Sequence, residues 1–264
     1  MYKIGVMLES FRQPLTESIE TAATLGVDGI QLYATGRETH FSNLTGAALT
    51  DFQSRLRDAS LEVAAVCGDF GGHGFQWVTE NPKRVEETKA VIDLAVELNS
   101  RVVTTHIGVI PYDLSHSRAQ IMAGACRELA GYAHTREVTL AIETGPETAL
   151  TLRNFLEHLD VEGGIGVNFD PANLVMVLRE DIPAAVKTLA PWIVHTHAKD
   201  GKNLKPVNPE LLYGVFAGDP KPNGFHICDH ILETPLGEGD VPFPAYLDAL
   251  RTYGFTDGYL TIER

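Results

Sequence analysis

Short, almost continuous apolar runs alternate along this chain with longer segments in which apolar residues recur every three or four positions. The runs fall at 2–8 (YKIGVML), 27–34 (VDGIQLYA), 61–67 (LEVAAVC), 101–107 (RVVTTHI), 138–144 (VTLAIET), 164–170 (GIGVNFD), 192–198 (WIVHTHA) and 258–263 (GYLTIE). Runs with so few polar breaks fit strands covered on both faces. The segments between them carry helical spacing. Residues 16–25 place Ile19, Ala22, Ala23 and Leu25 on about one face, and 47–59 do the same with Leu49, Phe52 and Leu56. Residues 82–98 repeat the pattern with Val85, Val91, Leu94, Ala95 and Leu98; Asn81 is placed to cap that helix and Pro82 sits in its first turn. Further helices are predicted over 118–134, 147–159, 174–189 and 243–253. Gly26 and Gly254 stand where a helix end needs the left-handed conformation.

Strands that alternate with helices in units of about 30 residues predict a parallel sheet. Eight such strands in one α/β chain of 264 residues predict closure into a (β/α)8 TIM barrel, one domain spanning 1–264. The competing arrangement is an open doubly wound sheet, but no GxGxxG follows the first strand. The sequence ends directly after the eighth strand. The eighth helix is therefore absent from it, and either the polypeptide continues or something else covers that strand. One connection breaks the rhythm. Residues 201–241 follow the seventh strand, are rich in Pro and Gly and read as irregular, which suits a lid or a subunit contact on the catalytic face.

Composition narrows the function. Thirty-five acidic against twenty-one basic residues give a net charge of −14, which repels phosphate backbones and argues against a nucleic-acid partner. No run approaches a membrane span and the start lacks a signal peptide, so the expected location is cytoplasmic. Three scattered Cys without a CxxC suggest reduced thiols, and Cys67 reads as a packed small residue. Any metal site must then be built mainly from His and carboxylates.

The strands' C-terminal ends supply them. In a barrel these ends form the active site. Here they carry Glu9, Tyr33, Asp69, His106, Glu143, Asp170, His195 and His197 followed by Lys199, and Glu263. The N-terminal ends show little charge. Residues i and i+2 share a strand face, so Asn168 and Asp170 share one, as do His195, His197 and Lys199. If those faces point inward, Glu143, Asp170, His197 and Glu263 converge at the mouth. Three carboxylates held together resist ionisation, and a divalent cation relieves that repulsion. Three oxygens and an imidazole suit Mn²⁺, Mg²⁺ or Co²⁺, and Zn²⁺ is compatible. His195 stays ambiguous between a ligand and a substrate contact. His106, His195 and Lys199 are candidates to hold substrate oxygens, and Asp69 and Trp77 to line the pocket.

The motifs LAIETG around Glu143, VNFDPAN around Asp170, VHTHAKD around His197 and the closing PLGEGDVPFPAYLDALRTYGFTDGYLTIER resemble the xylose-isomerase-like superfamily, in particular its sugar phosphate isomerase/epimerase branch. The resemblance spans the whole chain. It implies one metal ion bound by Glu143, Asp170, His197 and Glu263, with Glu143 and Glu263 also working as catalytic acid and base. The x-K-D that follows picks His197 over His195. Asn173 stands where ketose 3-epimerases usually carry a His. That departure, with the arrangement of His226, Asp229 and His230, counts against the trinuclear endonuclease members; Asn173 becomes a substrate-binding candidate. The activity so implied is an isomerase or epimerase acting on a sugar or polyol by proton transfer through an enediolate. An inosose-type dehydratase (a lyase) on the same metal site and a non-catalytic sugar-binding barrel are the alternatives. The expected partner is a small carbohydrate, with no nucleic acid or membrane; the uncovered eighth strand hints at a homo-oligomer.

Overall fold

The computed structural model describes residues 2–264. Its barrel strands are β1 (Lys3–Met7), β2 (Gly29–Tyr33), β3 (Glu62–Cys67), β4 (Val102–Thr105), β5 (Thr139–Glu143), β6 (Ile165–Phe169) and β7 (Ile193–Ala198). Two short strands, β8 (Asp200–Asn203) and β9 (Ile231–Thr234), come next, and β10 (Tyr259–Ile262) completes the barrel. The closed order is β1-β10-β7-β6-β5-β4-β3-β2, with parallel neighbours throughout. Each apolar run predicted as a strand forms one, trimmed by a residue or two at its ends.

The helices are α1 (Leu15–Leu25), α2 (Gly46–Asp58), α3 (Asn81–Glu97), α4 (Ser117–Thr135), α5 (Ala149–Leu159), α6 (Pro171–Leu178), α7 (Ile182–Leu189), α8 (Pro209–Phe216) and α9 (Phe243–Thr252). Most of them pack their apolar stripes on the outer faces of the strands. Phe52, Met122, Phe155, Tyr246 and Leu250 are fully or almost fully buried there, each worth about 1.5–3 kcal/mol of transfer free energy for a large apolar side chain. Tyr246 stacks on Phe169 of β6 at 5.6 Å between ring centroids. Alternation then turns the residues between the outward ones into the barrel. On β2, Ile30 and Leu32 face the helices, while Gln31 faces inward and bonds to residues of β4 and β7. No helix follows β10 among the described residues, and none of the helices is long and apolar enough to cross a membrane.

Three local expectations are corrected. The helix predicted over 174–189 is two helices. Arg179 ends α6 in the left-handed conformation with φ 54°, Asp181 caps α7 by accepting from the Ala184 N–H, and Pro183 sits in its first turn. A proline there cannot continue a preceding helix. Asn81 is not the cap of α3 but its first residue, and its side chain donates to the Phe75 carbonyl at 3.0 Å. Segment 201–241 is not irregular throughout: β8 and β9 form an antiparallel ribbon and α8 lies between them. Asp200 ties this excursion down. Its carboxylate accepts from the backbone N–H groups of Gly201, Gly237, Gly239 and Val241 at 2.8–3.1 Å.

Candidate metal centre

The register of the strands builds the centre in two layers. Glu143 on β5 is level with Asn168 on β6, and Asn168 with His195 on β7 after a bulge between Val167 and Asn168. Two residues further on, the same inward faces carry Asp170 and His197; Thr261 of β10 is level with His197, and Glu263 lies two residues beyond it, past the end of the strand. Glu143, Asp170, His197 and Glu263 each offer one ligand atom, and these atoms lie within 4.8 Å of one another. Asp170 and His197 are fully buried, Glu143 is nearly so, and Glu263 is partly exposed.

The hydrogen bonds around the cluster hold each side chain while leaving atoms free at its centre. Asp170 caps α6, its Oδ1 accepting from the N–H groups of Ala172 and Asn173 at 2.8 and 3.1 Å. Glu143 accepts from Asn173 Nδ2 at 3.0 Å and from Asn168 Nδ2 at 3.2 Å. Lys199 donates to Glu263 Oε1 at 2.9 Å. Asp170 Oδ2, His197 Nδ1 and Glu263 Oε2 are buried without a hydrogen-bond partner. His197 Nδ1 lies 2.7 Å from Glu263 Oε2 and 3.5 Å from Asp170 Oδ2, but without the alignment of a hydrogen bond. Orphaned buried atoms of this kind cost about 1–3 kcal/mol each, more when charged. Three of them aimed at one point, from a hard oxygen and imidazole set, fit a divalent cation. The cluster could hold a metal ion.

Its electrostatics tell the same story. Burial raises the Glu143 carboxyl above the ordinary range, and the nearby Glu263 and Asp170 charges add to it, against His106 and His197. Burial would raise Glu263 as well, but the charges of His197 and Lys199 override it and hold that carboxyl well below its usual range. Burial would lower His197, yet Glu263 and Glu143 push it up to about 10. Without an ion, the proton of His197 and the ammonium of Lys199 supply the positive charge that three carboxylates require.

Gln31 sets the orientation of the histidine. Its Oε1 accepts from His197 Nε2 at 3.1 Å and from His195 Nε2 at 2.9 Å, while its own Nε2 donates to Thr104 Oγ1 at 3.2 Å. With Nε2–H committed to Gln31, His197 turns Nδ1 toward the carboxylates, the usual way an outer partner fixes a ligand tautomer. His195 does not reach the cavity. It is buried one layer below, next to Thr261 Oγ1 at 3.0 Å, and burial beside His197 holds it well below the usual imidazole range. Its placement is that of a brace rather than a substrate contact, because it is buried against Gln31 and Thr261 and is not on the cavity wall.

A cavity of about 700 Å³ opens above the cluster, lined by Glu143, Glu263, His106, Lys199, Asn173, Asp69 and Trp77 among others. His106 stands between two carboxylates, Nδ1 at 3.2 Å from Asp69 and Nε2 at 3.6 Å from Glu143. Burial opposes its protonation, but those carboxylates bring it up to about 9. Cys67 is buried and not on the cavity wall. Sequence reasoning missed Gln31, although a lone amide inside the run VDGIQLYA was its signal. It also missed Tyr213 and Phe216 of α8, which lie on the cavity wall within the excursion read as irregular. Tyr213 packs its hydroxyl against Gly145, where any side chain would collide.

A family model described as xylose isomerase-like TIM barrel matches residues 19–264. No curated protein matches the sequence. Among solved structures, a xylose isomerase domain protein from Planctomyces limnophilus is 25% identical, with a TM-score of 0.79 over 100% of this chain and 91% of that one. The probable 3-DHS dehydratase AsbF from Bacillus anthracis shares 20% identity at a TM-score of 0.74, over 99% of this chain and 92% of its own. A D-psicose 3-epimerase with D-tagatose from Clostridium cellulolyticum H10 shares 14% at a TM-score of 0.74, over 99% and 84%. These last two likenesses establish a common fold.

Proposed function

This chain belongs to the xylose isomerase-like TIM barrel family, and from that premise we propose that it is a metal-dependent isomerase or epimerase of a sugar or polyol, with residues 1–264 forming one barrel domain. The reading is carried by one observation: four ligand atoms from β5, β6, β7 and β10 gather within 4.8 Å, three of them buried without partners. Glu143, Asp170, His197 and Glu263 would hold the ion, with Mn²⁺, Mg²⁺ or Co²⁺ the best-suited identities. When bound, such an ion supplies Lewis-acid charge that acidifies the C–H beside a carbonyl and stabilises an enediolate.

The protein's own groups move the proton. Glu143 and Glu263 both face the cavity from flanking strands. Their surroundings push their proton affinities apart, burial raising Glu143 while His197 and Lys199 lower Glu263, as acid and base roles require. One of the two removes the proton next to the substrate carbonyl. The same residue or the opposite one returns it, to the neighbouring carbon for isomerisation or to the other face for epimerisation. Lys199 keeps Glu263 in place, and Asn173 does the same for Glu143. His106 and Lys199 are placed to donate to substrate oxygens, Asn173 spends both amide hydrogens on Glu143 and the Thr144 carbonyl and so positions Glu143 instead, and α8 with the β8–β9 ribbon shields the cavity from bulk water. Loss of a neighbouring hydroxyl from the same enediolate would make the reaction a dehydration, which product analysis separates.

The test is Glu143→Gln. Metal content is expected to fall, and solvent-deuterium exchange into a ketose with Mn²⁺ present is expected to drop by about 10²–10⁴-fold. Unchanged metal content and unchanged exchange overturn the reading.

A further inference from the structure

The cavity above the centre is much larger than one sugar ring. A hexose displaces roughly six waters, on the order of 200 Å³ at about 30 Å³ per water, whereas the cavity measures about 700 Å³. Its two ends differ in chemistry. The inner end is the carboxylate and histidine cluster. From there His106 leads outward to Tyr213, at 6.3 Å between ring centroids, and Tyr213 to Phe216 at 5.7 Å. Trp77 stands on the same wall beside His73 at 5.4 Å. Trp77 and Phe216 are 51% and 54% exposed, high for aromatic side chains on the wall of a pocket. The polarised C–H faces of a sugar pack well on such rings.

The charges on the wall are already spent. The lining holds six carboxylates against one Lys, one Arg and two His. Each of those four bases has its own carboxylate: Lys199 with Glu263, Arg118 with Glu210, His73 with Asp219 at 3.0 Å, and His106 with Asp69. A phosphate or a carboxylate would have to compete with these pairs for the bases, and the surplus of acids on the wall repels it.

Resting on the proposed isomerase or epimerase reading of this same site, we infer that the substrate is an uncharged sugar extended beyond its reacting unit. The keto-sugar end sits on the metal centre, and a second sugar ring or an uncharged group of similar size lies against Trp77 and Phe216. A phosphorylated sugar is excluded by the wall.

Calorimetric titration of the Mn²⁺-loaded chain tests this with three ligands that differ only at one oxygen: fructose, fructose 6-phosphate and isomaltulose, the ketose that carries a glucosyl ring on that oxygen. Isomaltulose is expected to bind about tenfold tighter than fructose, and fructose 6-phosphate more weakly than fructose. Trp77→Ala and Phe216→Ala should each shrink the isomaltulose-to-fructose affinity ratio severalfold. Isomaltulose binding no tighter than fructose, or not at all, overturns the inference; so does tightest binding of fructose 6-phosphate. Solvent-deuterium exchange on the same ligands reads the underlying function separately. The expected affinity ranking without exchange into any ligand keeps this inference and overturns the isomerase or epimerase reading. Exchange accompanied by the opposite ranking does the reverse.

Discussion

The two halves of the barrel mouth use similar residues in opposite ways. In the half formed by β5, β6, β7 and β10, Asp170, His197 and Glu263 each keep one buried atom without a partner, and those atoms point at a common centre. In the half formed by β2 to β4, the polar groups are already engaged by protein partners, some of them on β7. Gln31 receives two histidine N–H groups and donates to Thr104. Asp69 accepts from the Gly71 N–H at 2.8 Å and faces His106. Polar residues at strand ends are therefore not equivalent. Where leftover atoms of several residues converge, as at Asp170, His197 and Glu263, they suit a cation, whereas a lone orphan such as Glu9 Oε2 does not; residues with none left shape and orient that place.

Substitutions on the two sides should separate accordingly. Asp170→Asn keeps an oxygen able to cap α6 but removes the charge. Mn²⁺ affinity by calorimetry should fall by more than about a hundredfold, beyond the 10–100-fold range of an outer partner, with the fold intact by circular dichroism. Gln31→Leu removes no ligand. It should cost about 10–100-fold in Mn²⁺ affinity, because His197 loses the acceptor that fixes its tautomer. Equal effects from the two substitutions would erase the distinction drawn here.

A pH series sharpens it further. In the ion-free chain the carboxylates raise His197 to about 10, above the ordinary imidazole value near 6.5. The folded state then holds a proton that the unfolded state has released. Its stabilising contribution is complete below about pH 6.5 and is lost as the pH rises through about 10. Melting temperature without metal should fall across that window. Saturating Mn²⁺ should flatten the slope and release about one proton per ion at pH 8. The smallest effect belongs to the outer wall. His73→Ala removes the partly exposed contact with Asp219 and the ring contact with Trp77, so stability should change by only about 1 kcal/mol and Mn²⁺ affinity not at all.

How much of this was legible in the sequence follows from the same physics. The eight barrel strands were readable because both faces are covered, leaving apolar runs that no helix period mimics. Glu143, Asp170, His197 and Glu263 were readable because each falls at or next to the end of such a run, with His197 preferred over His195 only through the x-K-D of the family resemblance. The break at Arg179 was hidden because apolar spacing continues across it from α6 into α7. Gln31 stood out as the lone amide of its run, but its role was hidden because its partners come from β4 and β7, far along the chain, and local spacing carries no trace of them. The order within 201–241 was hidden for a related reason: Asp200 holds Gly237, Gly239 and Val241 through their backbone N–H groups, which no side-chain pattern reports.

Anomalous diffraction at the manganese edge, from crystals of the full chain grown with Mn²⁺, tests the central claim most directly. One peak about 2.0–2.6 Å from oxygens of Glu143, Asp170 and Glu263 and from Nδ1 of His197 is the expected result. A featureless map at that position, with the four side chains turned away from one another, would contradict it.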